Sequence, residues 1–418
     1  MMTLNALFDG AGKPAEAAAY EREVEAETIR LRRDFHRHPE TMFGVDRTAA
    51  EVAKQLIAYG LEVEQGVGKH FGKGVVATLR GSRPGRTVLL RADMDALPIQ
   101  EQNEAPYRSA SDGVMHACGH DAHMAMLLGA ANMLSRYRGE LAGTVKFAFQ
   151  PAEEGALPIE DGSMVSGGRD MIEDGLLDDV DLCFALHVWP ELPLGTVGVH
   201  RAYAMAASTH FRVAFQGVSG HHGTPHLAVD ALLMAAQFVT EMKVAMASEI
   251  NPLEPGVLSF GTLRAGTALN AIAENSEITG SYRVFEEETV LRVRDAIVRR
   301  SSAIAASFGG GSEARFRLGT ALKNDPRAAQ LALTAGTAVF GAERALALEQ
   351  PSLAGEDFAL YLKKVPGAFA FLGSGTPACK QPLHHPNFDI DERMLLAGAK
   401  LHVRFVLEAM ASNDVQER

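Results

Sequence analysis

Three segments decide the fold: TVLLRADMD at residues 87–95, HMAMLLGAANMLSRY at 123–137 and TVKFAFQ at 144–150. The first and third are short apolar runs of strand type, and the second reads as a helix. Strand, helix and strand in succession predict an α/β layer fold with a mixed or mostly parallel sheet. VDLCFALHV (180–188) adds a further strand, and GVVATLRG (74–81) precedes the first, joined to it by the turn-rich SRPGR (82–86). Upstream, residues 13–38 form an amphipathic helix stopped at His38-Pro39, and a second helix over 46–60 ends at Gly60.

The pattern changes near residue 204. STHFRVAFQG (208–217) alternates apolar and polar residues, as a half-exposed antiparallel strand does. A helix over 227–246 follows, then strands at 259–266 and 276–285, a helix at 286–309 and a strand at 312–319. That order is β-α-β-β-α-β, the ferredoxin-like split unit, with Gly309–Gly311 as a helix-to-strand turn. α/β character then returns. Helices are expected over 325–341 and 354–365, a strand at 368–375 and a closing helix from about Glu392. The expected domains are therefore 1–203 with 319–418, interrupted by an inserted domain at 204–318.

The 418 residues suit two or three domains at roughly 100–200 residues each. Forty basic and 52 acidic side chains give a net charge of −12, which leaves no electrostatic footprint for nucleic acid or an anionic membrane. No apolar run approaches the ~18 residues of a membrane span, and the opening residues lack the basic and apolar regions of a signal peptide. Three scattered cysteines, Cys118, Cys183 and Cys379, argue against a disulfide framework, so a cytoplasmic protein is expected.

Ligand-type side chains recur where strands end. Asp93 and Asp95 close TVLLRADMD, their period-2 spacing placing both carboxylates on one face. HACGHDAH supplies His116, Cys118, His120, Asp121 and His123 before a helix; PAEEG follows a strand with Glu153 and Glu154; LCFALHV carries His187. Sites in open α/β sheets form beyond the carboxyl ends of strands. Thiolate, imidazole and carboxylate together suit zinc, cobalt or iron, and manganese where oxygen and nitrogen dominate. Adjacent Glu153 and Glu154 point in different directions on leaving a strand. One can bind metal while the other takes a proton from an attacking water and returns it to a leaving group.

The segments RADMDALP, MHACGHDAHMAMLLGAA, FQPAEEG, ALHVWP, GHHGTPH, LNAIAENSEITGSYR, GEDFALY and LHHPNFD, in this order, resemble the amidohydrolase branch of the aminoacylase/carboxypeptidase metallopeptidases. That branch includes hippurate hydrolases, N-acyl-amino-acid amidohydrolases and plant hydrolases of indoleacetyl-amino acids. The resemblance runs from about His36 to Glu392. It implies a mixed-sheet catalytic domain of zinc-exopeptidase type and an inserted lid and dimerisation domain. It implies five ligands to two divalent metal ions (Mn, Zn or Co): Cys118, His120, Glu154, His187 and His384. Glu153 becomes the general base and acid. Asp93 and Asp95 become carboxylates orienting a ligand imidazole, and Asp95 is counted with the catalytic residues. His221 becomes the oxyanion donor, in its own or a partner subunit's site, and Asn270 with Arg283 anchors a substrate carboxylate.

The sequence departs from the family at Ser219, where glycine is usual, and at His222 and His385, which stand beside His221 and His384. Register on the preceding Gly220 and Leu383 favours His221 and His384. The stretch around His70 departs from the family's usual strand entry and reads as a variable surface loop, the alternative being a lining of the acyl pocket; His123 reads as a helix neighbour of His120 rather than a ligand, and Cys183 as core. Nothing in the sequence near Cys379 would lower a thiol pKa. Asp357 reads as structural, and His36 and His38 as caps of the first helix. The expected reaction is metal-dependent hydrolysis of an N-acyl amino acid to a carboxylic acid and a free amino acid, with the lid closing on substrate in a homodimer or higher homo-oligomer. The alternatives are a dipeptidase or carboxypeptidase on the same metal site, or a catalytically silent metal-stabilised binding protein.

Overall fold

The structure, a computed structural model, describes residues 15–412. The ends of the expected catalytic domain (1–14 and 413–418), the first residues of the helix expected at 13–38 and the segment read for a signal peptide lie outside the described residues. The chain divides into two compact units. One holds the residues up to Ala204 with Lys323–Gln350 and the residues from Asp357 onward; the other holds Met205–Leu322 with Pro351–Glu356.

The first unit is built on an eight-stranded sheet. Its strands are β1 (Glu62–Val67), β2 (Gly74–Arg80), β3 (Arg83–Asp93), β4 (Ala142–Gln150), β5 (Leu182–Pro193), β6 (Val197–His200), β7 (Ala345–Leu348) and β8 (Gly367–Gly375). They lie side by side in the order β1-β2-β4-β3-β5-β8-β6-β7. The central strands β4, β3, β5 and β8 are mutually parallel, while β1–β2, β2–β4 and β8–β6 are antiparallel. The expected mixed α/β sheet is present. β2 and β3 are not neighbours, because β4 enters between them. SRPGR is mostly the start of β3, where Pro84 has no N–H to give and the register against β4 breaks between Arg83 and Thr87.

Five long helices complete the unit: α1 (Ala15–Arg37), α2 (Asp46–Ala58), α3 (His120–Arg136), α4 (Pro326–Phe340) and α5 (Leu395–Ala411). α3 packs between α1 and α5 and is buried along almost its whole length, as its run of Ala, Met and Leu requires. The 354–365 segment is helical only over Ala359–Leu362. The preceding Asp357 is held elsewhere, accepting from Gln150 Nε2 at 2.8 Å, Arg91 at 3.0 Å and the Gly168 N–H at 2.9 Å.

The second unit runs strand Ala207–Gln216, helix Ala231–Ser248, strands Val257–Ala265 and Asn275–Val284, helix Glu287–Phe308 and strand Gly311–Arg317. The strands form an antiparallel sheet in which the third and first are central and the second and fourth are edges. This is the expected ferredoxin-like arrangement. Phe211, Val213 and Phe215 point into a core shared with Met234, Phe238 and Ile297 of the helices. The first helix starts at Ala231 rather than near Leu227, because the Asp230 carboxylate caps the N–H groups of Leu232 and Leu233. A short ribbon pairs Gly220–His221 with Ala271–Ile272.

Candidate metal centre

The carboxyl ends of the central parallel strands carry the donors. β3 ends at Asp93, β4 runs into Glu153 and Glu154, and His187 lies in β5 opposite Phe371 of β8. Cys118 and His120 flank Gly119 at the start of α3. Gly119 has φ +87°, and a Cβ there would lie 2.4 Å from Val188 Cγ2, so only glycine lets the chain turn into the helix this close to β5. His384 enters from a loop held by its own N–H to the Ala117 carbonyl at 2.8 Å. Ala152 and His384 are both non-glycine residues at positive φ, 46° and 65°, a conformation that the surrounding contacts must enforce.

These side chains converge. Cys118 Sγ lies 3.4 Å from His187 Nε2 and 3.3 Å from His384 Nε2. Glu154 Oε1 lies 3.3 Å from His384 Nε2 and 3.9 Å from His120 Nε2. Buried Glu154 Oε1 and His120 Nε2 have no hydrogen-bond partner. Such atoms are costly unless something else satisfies them. The tautomers point the same way. His120 Nδ1 meets the Asp95 carbonyl at 2.7 Å and His187 Nδ1 meets the Val188 carbonyl at 2.7 Å. A carbonyl only accepts, so each Nδ1 donates to it and each Nε2 is left facing the cluster as the nitrogen open to a metal ion. The donor set therefore fits divalent metal ions. Cys118, His120 and His187 form one compact donor group, and Cys118, Glu154 and His384 another that shares the thiol.

Asp95 acts differently from the sequence expectation. Its backbone carbonyl, not its carboxylate, takes the closest contact from His120. The carboxylate accepts the N–H groups of Glu153 at 2.9 Å and Glu154 at 3.2 Å, fixing the Glu-Glu turn. Asp93 bonds His123 Nδ1 at 2.6 Å and Arg91 at 2.6 Å. Since His123 Nε2 accepts the Val188 N–H at 3.0 Å, both nitrogens of His123 are used.

Burial pushes the Cys118 thiol well up, with Glu154 and Glu153 adding to it; a bound cation reverses that preference. Burial works against charge on His120 too, but Asp93, Asp95 and Glu154 raise it to about 10. Burial and His123 hold His187 well down, leaving a neutral imidazole. His116 and His402 are fully buried with no partner on either nitrogen, and burial depresses each to about 3.

The expected capping role of His36 is not what the structure has. His36 is buried, with Nδ1 2.8 Å from Asp121 and Nε2 3.1 Å from Glu101. Beside it Arg32, also fully buried, bonds Asp121 at 2.9 Å and Asp389 at 2.6 Å, tying α1 to the start of α3 and to the loop after His384. The signal was present: Arg32 and His36 fall on the buried stripe of α1 with Thr28, Leu31 and Phe35. His38 does bond a helix carbonyl, that of Asp34, at 2.9 Å. The His70 segment is pinned rather than loose: the N–H groups of His70 and Phe71 reach Asp170, and the His70 ring meets Glu173 at 2.9 Å.

In the second unit the ribbon brings His221 beside Ala271, next to Asn270, whose carbonyl accepts the His222 N–H. His221 Nδ1 accepts the Gly223 N–H at 3.0 Å, so its proton sits on Nε2, free to donate. Asn270 and His221 are exposed, and Arg283 is half-buried on the adjacent sheet.

Fold and donor set together define the class: an α/β metallohydrolase whose centre lies at the carboxyl edge of a mixed sheet. The profile of peptidase family M20/M25/M40 matches residues 89–408. The chain is 36% identical over 374 residues to N-acetylcysteine deacetylase of Bacillus subtilis, covering 89% of this chain and 94% of the relative. It is 34% identical over 385 residues to thermostable carboxypeptidase 1 of Saccharolobus solfataricus, covering 91% and 95%. A crystal structure of a dinuclear metal binding peptidase from the M20 family, from Bacillus subtilis, matches with a TM-score of 0.79 at 32% identity, over 93% of this chain and 99% of that one. The chain belongs to peptidase family M20/M25/M40, in agreement with the resemblance carried by its motifs. No helix among the described residues is long and apolar enough to cross a membrane.

Proposed function

We propose that this protein hydrolyses the amide bond of N-acyl amino acids, releasing a carboxylic acid and a free amino acid, with Cys118, His120, Glu154, His187 and His384 holding two divalent metal ions, zinc, cobalt or manganese. The convergence of the unpartnered His120 Nε2 and Glu154 Oε1 on Cys118 and two further imidazoles carries this reading. The deacetylase and dinuclear relatives support it. Bound ions supply Lewis acidity that polarises the scissile carbonyl and acidifies water. Glu153 takes the proton of the attacking water and delivers it to the leaving amide nitrogen. Asp95 holds Glu153 and Glu154 in register through their N–H groups. His221, with its proton on Nε2, donates to the developing oxyanion, in its own or a partner subunit's site. Asn270 and Arg283 hold the carboxylate of the amino acid.

The carboxypeptidase relative favours a second reading, cleavage of peptides at the same centre. The two separate on substrate. After chelation and addition of Mn, Zn or Co, release of free amino acid from hippurate, N-acetyl and indoleacetyl conjugates supports the first. Turnover confined to free-amine peptides supports the second. No turnover with metal bound and the fold intact defeats both and leaves a binding protein. A homodimer through the second unit fits its exposed Leu232, Leu233 and Val244 and the apolar Val257 and Leu263 on its edge strand. Three free cysteines fit a cytoplasmic setting.

A further inference from the structure

The polar face of the four-stranded sheet carries five arginines, and they are not treated alike. Arg212 pairs with Glu277, and Arg264 stands opposite that same glutamate; Arg315 pairs with Glu313. Arg283 and Arg317 take part in no ion pair among the described residues. Ser208 lies opposite Arg283, and His210 lies opposite both Ser281 and Arg317, so Arg283, His210 and Arg317 occupy neighbouring positions on three adjacent strands. Two strand spacings and a two-residue offset along the strands, about 12 Å in all, separate the backbones of the two arginines, within reach of their long side chains. Arg283 Nη1 is buried without a hydrogen-bond partner. Burial and the Arg317 charge hold the Arg283 guanidinium below its usual range. Burial and the two arginines do the same to His210, and no carboxylate counters either effect. Two neighbouring guanidinium groups with no acid between them make a place for anions.

We propose that Arg283, Arg317 and His210 recognise a substrate with two carboxylates, so that the preferred substrates are N-acyl derivatives of dicarboxylic amino acids. This rests on the N-acyl amino acid reading above, in which Arg283 takes the α-carboxylate. Arg317, with the His210 ring beside it, takes the side-chain carboxylate of the same amino acid. The adjacency of Arg317 to Arg283 assigns the second carboxylate to the amino-acid side rather than the acyl side.

The test compares kcat/KM for N-acetylglutamate with that for its neutral isostere N-acetylglutamine, using the metal-loaded full chain. The expected ratio exceeds about tenfold, falls by about tenfold in Arg317→Ala and drops below one in Arg317→Glu. Arg317 is exposed, so these variants leave the core intact. Arg212→Ala, which removes an arginine already neutralised on the same face, leaves the ratio where it was. A wild-type ratio at or below one, or a ratio unmoved by Arg317→Ala, overturns the proposal while brisk turnover of N-acetylglutamine leaves the N-acyl reading standing. Absence of turnover on every N-acyl amino acid overturns both.

Discussion

His120 and His187 lie buried with each Nδ1 locked to a backbone carbonyl, whereas Arg283 and Arg317 lie on a sheet face with no acid beside them. The two regions solve recognition in different ways. The first unit builds its donors into strand ends and a helix start, so backbone position sets the geometry before any ligand arrives. The second presents two guanidinium groups on long side chains, the place proposed above for the carboxylates of the substrate. Changes to backbone or to buried partners should therefore damage the first region far beyond their size, and truncations in the second should shift selectivity while leaving stability alone.

The sharpest break of that contrast comes at Gly119. Gly119→Ala must place a Cβ 2.4 Å from Val188 Cγ2 at a φ of +87°, and the expected cost is about 2–5 kcal/mol from backbone strain and overpacking. Denaturant unfolding measures it, and adding Val188→Ala should recover the packing part but not the strain. A loss under 1 kcal/mol would mean that the Cys118–His120 turn is softer than described.

A smaller effect is expected where a partner rather than the backbone is altered. Asp95→Ala releases the N–H groups of Glu153 and Glu154 and should cost about 10–100-fold in metal affinity or turnover. Metal titration followed calorimetrically, alongside kcat, checks this. Loss of kcat with affinity retained would assign Asp95 to Glu153 alone.

The mildest effect concerns pH. Burial holds His402 near 3, so the unfolded chain binds a proton below about pH 6.5 that the folded chain refuses. Its contribution is fully present above pH 6.5 and is lost as pH falls toward 3, at about 1.4 kcal/mol per pH unit. Unfolding followed at pH 7 and pH 5 should show a shallower loss in His402→Phe than in the wild type; identical slopes would refute the assignment.

Much of this was legible in the sequence. The apolar runs of β3, β4, β5 and α3 leave little choice of structure, and ligand-type residues at their ends point to one sheet edge. The edge strands β1 and β7, and the short β6 beside β7, were not legible: EVEQGV at 62–67 is largely exposed and has no apolar alternation to betray it. Nor was the partner of His120 Nδ1, because a backbone carbonyl leaves no mark in a sequence; the family resemblance implied carboxylates instead. Arg32 and His36 lie on the buried stripe of α1, but their partners are far off in sequence: Asp121 and Asp389 lie 89 and 357 residues from Arg32, and Asp121 and Glu101 lie 85 and 65 from His36, which therefore reads as a cap.

The most direct measurement is the turnover of Glu153→Ala on an N-acyl amino acid, with metal content determined on the same sample. The account predicts unchanged metal content and thermal stability with kcat lower by about 10²–10⁴-fold. Near-normal turnover in that variant would contradict the account and show that another group moves the proton.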